Sequence, residues 1–401
     1  MNLREFKKTG HWPTLLCSFL YFDVSFMVWT LMGALGVFVA QEFHLTPAQK
    51  GFVVAIPLLG GSILRVAMGI ATDHFGPRKV GLAGLAVTLV PLLWCALASH
   101  SISDLVAAGL LLGVAGASFA VALPLASRWY PAQLQGLALG IAGAGNSGTV
   151  VAAFFAPRLA EHFGWRAVFG LAAIPVALVL LIFWGFAREC PVRPAPKTFR
   201  NYLRILHEPD VWRFNAFYMV TFGGFVGLAS ALPMFFFDQY GVSRVQAGSF
   251  AALCVFAGSF LRPLGGFAAD RLGGIRVLCG LYASAAALLL TLALLPSLPV
   301  AIVLLFLVMA CLGTGNGSVF QLVPQRFGNE IGVATGVVGA AGGLGGFFLP
   351  TVLGALKEFS GSYASGLTLF ALAALAAMLA LLRVRREWRA GWAAADAEVA
   401  L

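Results

Sequence analysis

Charged residues are scarce in this chain: they make up only 10% of its 401 residues, whereas 60% are hydrophobic and the mean hydropathy is +0.90. A soluble domain cannot cover its surface with so few charges. Long apolar runs recur along the chain, such as Val80–Leu97, Val300–Leu312 and Leu367–Leu382. Because roughly 20 apolar residues span a bilayer, the sequence predicts an all-α protein that crosses the lipid bilayer about twelve times.

The patterns of a metal, disulfide or cofactor site are also missing. The six cysteines are scattered, with no C-x-x-C pair, and none of the six histidines falls within a predicted span. We therefore expect the cysteines to pack as apolar side chains, and we expect neither a metal nor a cofactor. A membrane enzyme would need converging His, Glu or Cys groups, so we expect a protein that is not an enzyme. We find no long signalling tail that would favour a receptor.

Positive charge is distributed unevenly between the predicted loops. The net charge is +10, and of the 26 Lys and Arg residues 19 lie on the side that holds both termini, five lie on the opposite side and two lie within spans. Cytoplasmic loops carry such an excess. We therefore expect cytoplasmic termini, a place in the bacterial cytoplasmic (inner) membrane, and no nucleic acid as a partner. The spans are predicted at 14–40, 51–71, 80–98, 105–125, 135–157, 167–187, 214–238, 246–268, 277–295, 299–322, 332–356 and 363–382.

The chain repeats itself at about half its length. Residues 61–80 share the skeleton G-S-x-L-R-x3-G-x-A-x-D-x2-G-x3-V with residues 258–277, at a separation of 197 residues. Residues 136–144 match residues 332–340, at a separation of 196 residues. Two repeated six-helix halves of this kind are typical of a major facilitator fold. We predict an N-terminal half at 1–187, a cytoplasmic linker at 188–213, and a C-terminal half with a short cytoplasmic tail at 214–401.

The loop after the second span carries a second repeated motif. The segment from Gly69 to Lys79 resembles the major facilitator signature between helices two and three, and it recurs from Gly266 to Arg276. Its aspartate can cap a helix terminus and pair with a cytoplasmic arginine, which would hold the halves closed on that side. The predicted gating residues are Asp73, Arg78, Asp270 and Arg271. This motif indicates the fold and says nothing about substrate.

Two arginines fall inside predicted spans. Arg65 and Arg262 each precede a motif aspartate by eight residues, which is about 12 Å along a helix and near the middle of the membrane. A charge there normally faces a cavity and marks function. The repeat directs both at the central axis, where two planar guanidiniums would hold a small planar anion. The alternative is a structural pair with carboxylates, but the interior offers only Asp23.

Glycine is the second signal, with 47 in the chain. Span five contains GIAGAGNSG and span eleven contains GVVGAAGGLGG. Small residues at this density let helices approach closely and let a small ligand reach the backbone. The candidates for backbone contact with substrate are Gly143, Gly145, Gly342 and Gly343. The string GAGNSG also fits G-x-G-x-x-G, but no strand precedes it, so we exclude a dinucleotide site.

These strings carry a family resemblance. GAGNSG in span five, GAAGGLGGFFLP in span eleven, GTGNGSVFQLVP in span ten and GVAGASFAVALP in span four, with the two arginines, resemble the nitrate/nitrite porter family of the major facilitator superfamily. The resemblance implies a transporter of nitrate or nitrite. It also implies that Arg65 and Arg262 hold the anion, that Asn146 and Tyr218 donate hydrogen bonds, and that Phe119 and Phe222 enclose the flat substrate.

Several alternatives stay open at this point. A phenylalanine in a span commonly faces lipid or core, Tyr218 lies near a span start where interfacial aromatics occur, and Asn146 can join helices. A carrier of another small anion, such as an oxalate or formate exchanger, would also need paired cationic residues. The transport mode is either proton-coupled uptake or nitrate/nitrite exchange. Asp23 is the candidate proton carrier, with an interhelical hydrogen bond as its alternative role, and we expect a monomer.

Overall fold

The computed structural model describes residues 9–191, 203–327 and 331–399, and nearly all of them are helical. Twelve helices in these ranges are long and apolar enough to cross a membrane, which confirms the predicted number of spans. The predicted linker at 188–213 falls partly outside the described residues. The helices are α1 (Trp12–Trp29), α2 (Pro47–Phe75), α3 (Pro77–Leu97), α4 (Ile102–Ser127), α5 (Leu137–Phe163), α6 (Trp165–Phe186), α7 (Pro209–Tyr240), α8 (Arg244–Leu272), α9 (Gly274–Leu292), α10 (Leu298–Phe327), α11 (Val333–Ser360) and α12 (Ala364–Arg385).

Several of these helices are interrupted near their middle, and the local sequence explains two of the interruptions. In α5, the glycine-rich string forms a 3-10 turn at Ala144–Ser147. In α8, the regular helix stops at Phe260 and restarts at Arg262, because Pro263 lacks an N–H group and its ring clashes with the carbonyl one turn earlier. In α7, a π-helical turn covers Met219–Gly223, and such turns occur frequently at functional sites.

Twelve crossings place both ends of the chain on one side of the molecule. We call this side, with the loops around Gly76 and Gly273, the termini face, and the other side, with the loops around Thr46 and Gly241, the opposite face. The helices α1–α6 form the N-terminal half and α7–α12 form the C-terminal half. Helix α2 packs along α11, and α5 packs along α8, so these four helices join the halves.

On the opposite face, the two halves are held together by polar contacts. Lys50 at the start of α2 forms an ion pair of 3.2 Å with Asp238 near the end of α7. Arg158 in α5 donates a hydrogen bond of 2.8 Å to Ser249 in α8. The backbone N–H of Ala48 donates to a Glu358 carboxylate oxygen at 2.9 Å. The halves are therefore closed against each other on this face.

Toward the termini face, the same helices separate. The Ala132–Gly143 segment of the helix that forms α5 packs on α1 and α4 of its own half, and the Arg262–Leu272 segment of α8 packs on α9 and α10 of its own half. A Cβ atom added at Gly140 or Gly266 would meet nothing within 4 Å. The molecule is therefore closed on the opposite face and open between α5 and α8 on the termini face.

The predicted gating residues lie on the open face and do not join the halves in this conformation. Asp73 forms an ion pair of 2.9 Å with Arg128 of its own half. Arg78 donates to the carbonyl of Trp184, also in the N-terminal half. Among the described residues, Asp270 has no ion pair, and the guanidinium of Arg271 lies over the Phe267 ring of its own helix at 4.2 Å. Closure of this face by these residues stays a prediction.

Candidate functional site

Arg65 lies in the middle of the molecule with only 1% of its side chain exposed. Its two terminal nitrogens donate hydrogen bonds to backbone carbonyls, of Gly116 at 2.7 Å and of Gly339 at 2.6 Å. The first regular segment of α4 ends at Gly116, which leaves that carbonyl without a helical partner. Gly339 belongs to α11 of the other half. The Arg65 guanidinium is thus held between the two halves by neutral acceptors, and its charge is not paired with a carboxylate.

Arg262 approaches the same place from the C-terminal half. It is the first residue of the helical segment that follows the interruption in α8, and its side chain interacts with the hydroxyl group of Tyr218. Its Nη1 nitrogen is buried and has no hydrogen-bond partner among the described residues. A buried cationic donor without a partner is costly, and an anion would remove this cost.

Aromatic rings surround both guanidiniums. The Arg65 Cζ atom lies 5.5 Å from the ring centre of Phe119 and 5.4 Å from that of Phe222. The Arg262 Cζ atom lies 5.8 Å from the same Phe119 ring. Tyr218 stacks on Phe222 with ring centres 5.0 Å apart. Ring faces attract cations and flat groups at these distances. The structure therefore brings together five of the residues that the sequence singles out.

Two further aromatic residues belong to this cluster and were missed in the sequence. The Trp29 ring centre lies 5.8 Å from the Arg65 Cζ atom, and the indole N–H donates to the carbonyl of Pro57 at 2.6 Å. The Phe320 ring centre lies 6.0 Å from the Arg262 Cζ atom. Phe320 belongs to the span-ten string GTGNGSVFQLVP, and the resemblance of that string to the porter family could have identified it. No sequence pattern identifies Trp29, because a single tryptophan in an apolar helix cannot be told from any other.

Asn146 is fully buried in the 3-10 turn of α5, and neither its amide nitrogen nor its amide oxygen has a partner among the described residues. Its backbone carbonyl accepts hydrogen bonds from Thr149 at 2.6 Å and from Ser259 of α8 at 3.4 Å. Asn316 in α10 is 1% exposed, and its amide is also without a partner. Since buried polar groups are normally hydrogen-bonded, both amides are available to a polar ligand. The sequence did not single out Asn316.

The four candidate glycines have different surroundings. A Cβ atom at Gly342 would lie 2.5 Å from the Tyr218 ring, and one at Gly343 would lie 2.9 Å from the Cβ atom of Ser62. A Cβ atom at Gly145 would lie 2.8 Å from the backbone nitrogen of Asp23, whereas one at Gly143 would meet nothing within 4 Å. Gly342 thus allows α11 to approach the aromatic cluster closely, and Gly145 and Gly343 allow close packing between helices.

Asp23 joins α1 to α5 within the N-terminal half. Its carboxylate accepts a hydrogen bond of 2.5 Å from the hydroxyl group of Ser147. Ser147 directly follows Asn146 in the 3-10 turn of α5. The hydrogen-bond partner of Asp23 is therefore the sequence neighbour of a residue that we predict to bind substrate. The interhelical hydrogen bond anticipated as the alternative role of Asp23 is present. The same contact connects its carboxylate to the interruption in α5.

Comparison with known proteins places the chain in a family. The sequence pattern of the Major Facilitator Superfamily matches residues 17–350. The "Nitrite extrusion protein" of Bacillus subtilis is 35% identical over 85% of this chain and 86% of that protein. The "Probable nitrate/nitrite transporter NarK2" of Mycobacterium tuberculosis is 36% identical over 88% and 91%. The "Probable nitrate/nitrite antiporter NarK1" of Thermus thermophilus is 32% identical over 90% and 88%.

Solved structures show the same fold at lower sequence identity. A bacterial homolog of the human lysosomal transporter Spinster, in an inward-facing and occupied conformation, has a TM-score of 0.70 at 19% identity and covers 93% of this chain and 96% of its own. The human organic anion transporter MFSD10 (TETRAN) has a TM-score of 0.72 at 16% identity and covers 92% and 99%. Together with the sequence relatives, these likenesses show that the chain belongs to the nitrate/nitrite porter family of the Major Facilitator Superfamily, a family of multi-pass membrane transporters.

Proposed function

We propose that this protein transports nitrate, nitrite or both across the bacterial cytoplasmic membrane by alternating access. The observation that carries the proposal is that Arg65 and Arg262 lie beside the same Phe119 ring, with Phe222 next to Arg65. Among the described residues, the buried Arg262 Nη1 and the buried Asn146 amide nitrogen are donors without a partner. The relatives are named nitrate/nitrite transporters and a nitrite extrusion protein, which supports the same substrates.

The charge and shape of the cluster favour a small planar anion. Two guanidiniums in a low-dielectric interior, with no carboxylate bonded to either in the described part of the chain, destabilise the site until an anion compensates them. A planar anion fits between ring faces and accepts hydrogen bonds along its edge from planar donors. A tetrahedral dianion cannot place all its oxygens in one plane parallel to a ring face, so we expect it to bind less well. The anion therefore lowers the cost of burying both charges, and its binding permits the halves to close around it.

The open and closed faces define one step of the transport cycle. If both termini are cytoplasmic, as the charge distribution indicates, the structure is open to the cytoplasm and closed to the outside. Single cysteines at His207 on the termini face and Lys357 on the opposite face test the orientation with a membrane-impermeant maleimide in intact cells. We expect labelling at position 357 only. Labelling at position 207 only would reverse the orientation.

Anion counterflow in proteoliposomes tests the function. Vesicles loaded with unlabelled nitrate should accumulate labelled nitrate or nitrite, and external nitrate and nitrite should compete while sulfate and phosphate should not. Competition by formate or oxalate that exceeds competition by nitrate would favour the alternative carrier of another small anion. Absence of counterflow with every anion would remove the proposed function.

Coupling to protons is a finer part of the proposal. Net nitrate uptake against an inside-negative potential needs a co-transported cation, since each charge costs about 2.3 kcal/mol per 100 mV. Asp23 is the candidate carrier because it lies within a span and bonds to the turn that carries Asn146. If Asp23→Asn loses uptake driven by a pH gradient but keeps nitrate/nitrite counterflow, the symport assignment stands. If the variant keeps gradient-driven uptake, Asp23 does not carry the proton.

The proposed functional unit is one chain. Both arginines, both candidate rings and the tyrosine come from the same chain, so no residue of a second copy is needed to complete the site. Light scattering of the purified protein in detergent should give the mass of a single 42.2 kDa chain plus its micelle. A stable dimer whose separation abolishes nitrate binding would overturn this assignment.

A further inference from the structure

The two halves differ where the repeated loop motif ends, at the start of α3 and of α9. Gly76, with a φ angle of +87°, precedes α3, and Gly273, with a φ angle of +91°, precedes α9. In the N-terminal half, the backbone N–H of Arg78 donates a hydrogen bond of 3.2 Å to the Glu189 carboxylate. A carboxylate there neutralises the positive end of the helix and satisfies a free N–H group.

No carboxylate is hydrogen-bonded at the corresponding helix start in the described C-terminal half. The repeat separation is 197 residues at the loop motif, which relates Arg78 to Ile275, and 196 residues in the later helices, which relates Glu189 to Arg385. The residue type at the corresponding position has therefore changed from acidic to basic. Because the helix start is the same and the carboxylate is replaced, the C-terminal half needs an anion from outside the chain to reproduce the arrangement of the N-terminal half.

A cavity of about 490 Å³ lies at this helix start, on the termini face. Its lining includes three arginines, from the end of α8, the start of α9 and α12, and a single carboxylate. None of these arginines forms an ion pair in the described part of the chain. The arginines are Arg271, Arg276 and Arg385, and the carboxylate is Asp270.

A neutral side chain and an apolar border complete the cavity. The amide of Gln321 lines it, close to Gly274 at the first turn of α9, and its oxygen atom is buried without a partner. On the same segment of α8, Leu272 is 63% exposed and Phe267 is 55% exposed. An exposed apolar surface beside a basic cavity suits a ligand that has both an anionic group and hydrocarbon chains.

We propose that this cavity binds a phosphate group on the termini face, most suitably the phosphodiester headgroup of an anionic phospholipid. Three guanidiniums can donate to several oxygens at once, and the free N–H groups of the α9 start add donors and a favourable dipole. The headgroup fills a volume that a triatomic or tetraatomic anion would leave largely empty, while the acyl chains lie along Leu272 and Phe267. The ligand takes the place that Glu189 takes in the N-terminal half.

Native mass spectrometry of the full chain tests this site. The protein is released from nanodiscs that contain equal amounts of phosphatidylglycerol and phosphatidylcholine, and bound lipid is counted for the wild type, for the combined Arg271→Gln, Arg276→Gln and Arg385→Gln variant, and for Arg244→Gln on the opposite face as a control. We expect the combined variant to lose bound phosphatidylglycerol at least fivefold, while the control retains it. Because Arg271 is also a predicted gating residue, an unchanged size-exclusion profile in detergent, and not nitrate counterflow, shows that the combined variant is folded.

Two further arms separate the sources of the phosphate group. If 10 mM inorganic phosphate displaces phosphatidylglycerol from the wild type and raises its melting temperature only while the three arginines are present, the site takes free phosphate as well. If phosphate does neither, the site takes the lipid headgroup. Equal retention of phosphatidylglycerol by the wild type and the combined variant, with no effect of phosphate on either, would overturn the proposal. These outcomes are independent of nitrate transport.

Discussion

Arg65 and Arg262 come from the same position of a repeat, yet the structure places them differently. Arg65 is buried and docked on the carbonyls of Gly116 and Gly339, whereas Arg262 keeps a terminal nitrogen without a partner. The repeat relates Gly339 in α11 to Gly143 in α5, and Gly143 borders open space. The difference therefore follows from which helices meet beside each arginine. Helix α2 meets α11 next to Gly339, whereas α5 contacts α8 at Asn146 and is separated from it at Gly143.

We predict from this comparison that the two arginines exchange roles during transport. In a conformation open to the other face, α5 and α8 would meet at Gly143 as well, and Arg262 would find the Gly143 carbonyl as Arg65 now finds that of Gly339. The two arginines occupy equivalent positions of the repeat, but in any one conformation they have different hydrogen-bond partners. The predictions that follow test this difference, beginning with the largest expected effect.

Replacement of either arginine by lysine should cause the largest loss. Lysine keeps the charge but lacks the planar fork, and each lost charge-assisted hydrogen bond costs about 2 kcal/mol, roughly 30-fold in affinity. We expect Arg65→Lys to lose more than Arg262→Lys, because Arg65 makes two carbonyl contacts in the present state. Nitrate counterflow measures both, with Arg244→Lys on the opposite face as the control. Near-normal transport by both variants would remove the planar-fork argument.

The glycines of the two halves should respond unequally to alanine. At Gly342 a Cβ atom would lie 2.5 Å from the Tyr218 ring, whereas at Gly143 it would meet nothing within 4 Å. Overpacking typically costs about 1–3 kcal/mol, and alanine in an open helical position is neutral or stabilising. Gly342→Ala should therefore reduce nitrate counterflow strongly and Gly143→Ala should lower neither the melting temperature nor expression. Equal loss of transport and stability in both variants would contradict the different surroundings.

The opposite face offers a smaller effect on the conformational equilibrium. Lys50→Gln removes the ion pair with Asp238, whose side chains are 22% and 16% exposed. A partly exposed pair contributes up to about 1 kcal/mol, which shifts a two-state population roughly fivefold. Distances between spin labels on the two halves should show more of the form that is open on this face. Lys357→Gln is the control on the same face, because its ammonium donates to the carbonyl of Gly361 and lies 5.1 Å from the Tyr363 ring, without an ion pair among the described residues. An equal shift in it would exclude a specific role for the Lys50–Asp238 pair.

Replacement of the two motif aspartates should have the smallest effect on stability, and the two replacements should differ. Asp73→Asn removes an ion pair with Arg128, so we expect a loss of about 0.5 kcal/mol in stability. Asp270 is exposed and has no ion pair among the described residues, so Asp270→Asn should leave the melting temperature unchanged. Thermal unfolding in detergent measures both. A larger loss from Asp270→Asn would mean that this residue closes the termini face in a populated state.

Patterns that belong to the chain as a whole could be predicted from the sequence. The number of spans follows from apolar runs, and the depth of Arg65 follows from its helical distance to Asp73, because both depend on length and transfer free energy alone. The interruptions at Leu261 and Ala144–Ser147 arise where glycine and proline permit them, but their exact place depends on tertiary packing. Trp29 joins the site through contacts between distant helices, which no local pattern encodes.

The hydrogen bonds of Arg65 to the backbone carbonyls could not be predicted from the sequence either, and the reason is a different one. Sequence repeats describe what both halves can do, whereas a structure captures one of the conformations between which they move. Arg65 and Arg262 are equivalent in the sequence repeat and have different contacts in this conformation. The repeat and the family resemblance both single out these two residues, and the structure places both beside Phe119. Neither indicates which of them keeps a nitrogen without a partner.

A structure of the nitrate-bound protein tests the central claim most directly. We predict a single nitrate within hydrogen-bond distance of both the Arg65 and Arg262 guanidiniums, with its plane between the Phe119 and Phe222 rings and with the Asn146 amide donating to one of its oxygens. A nitrate that contacts only one of the two arginines, or that lies outside this cluster while transport is intact, would contradict the account.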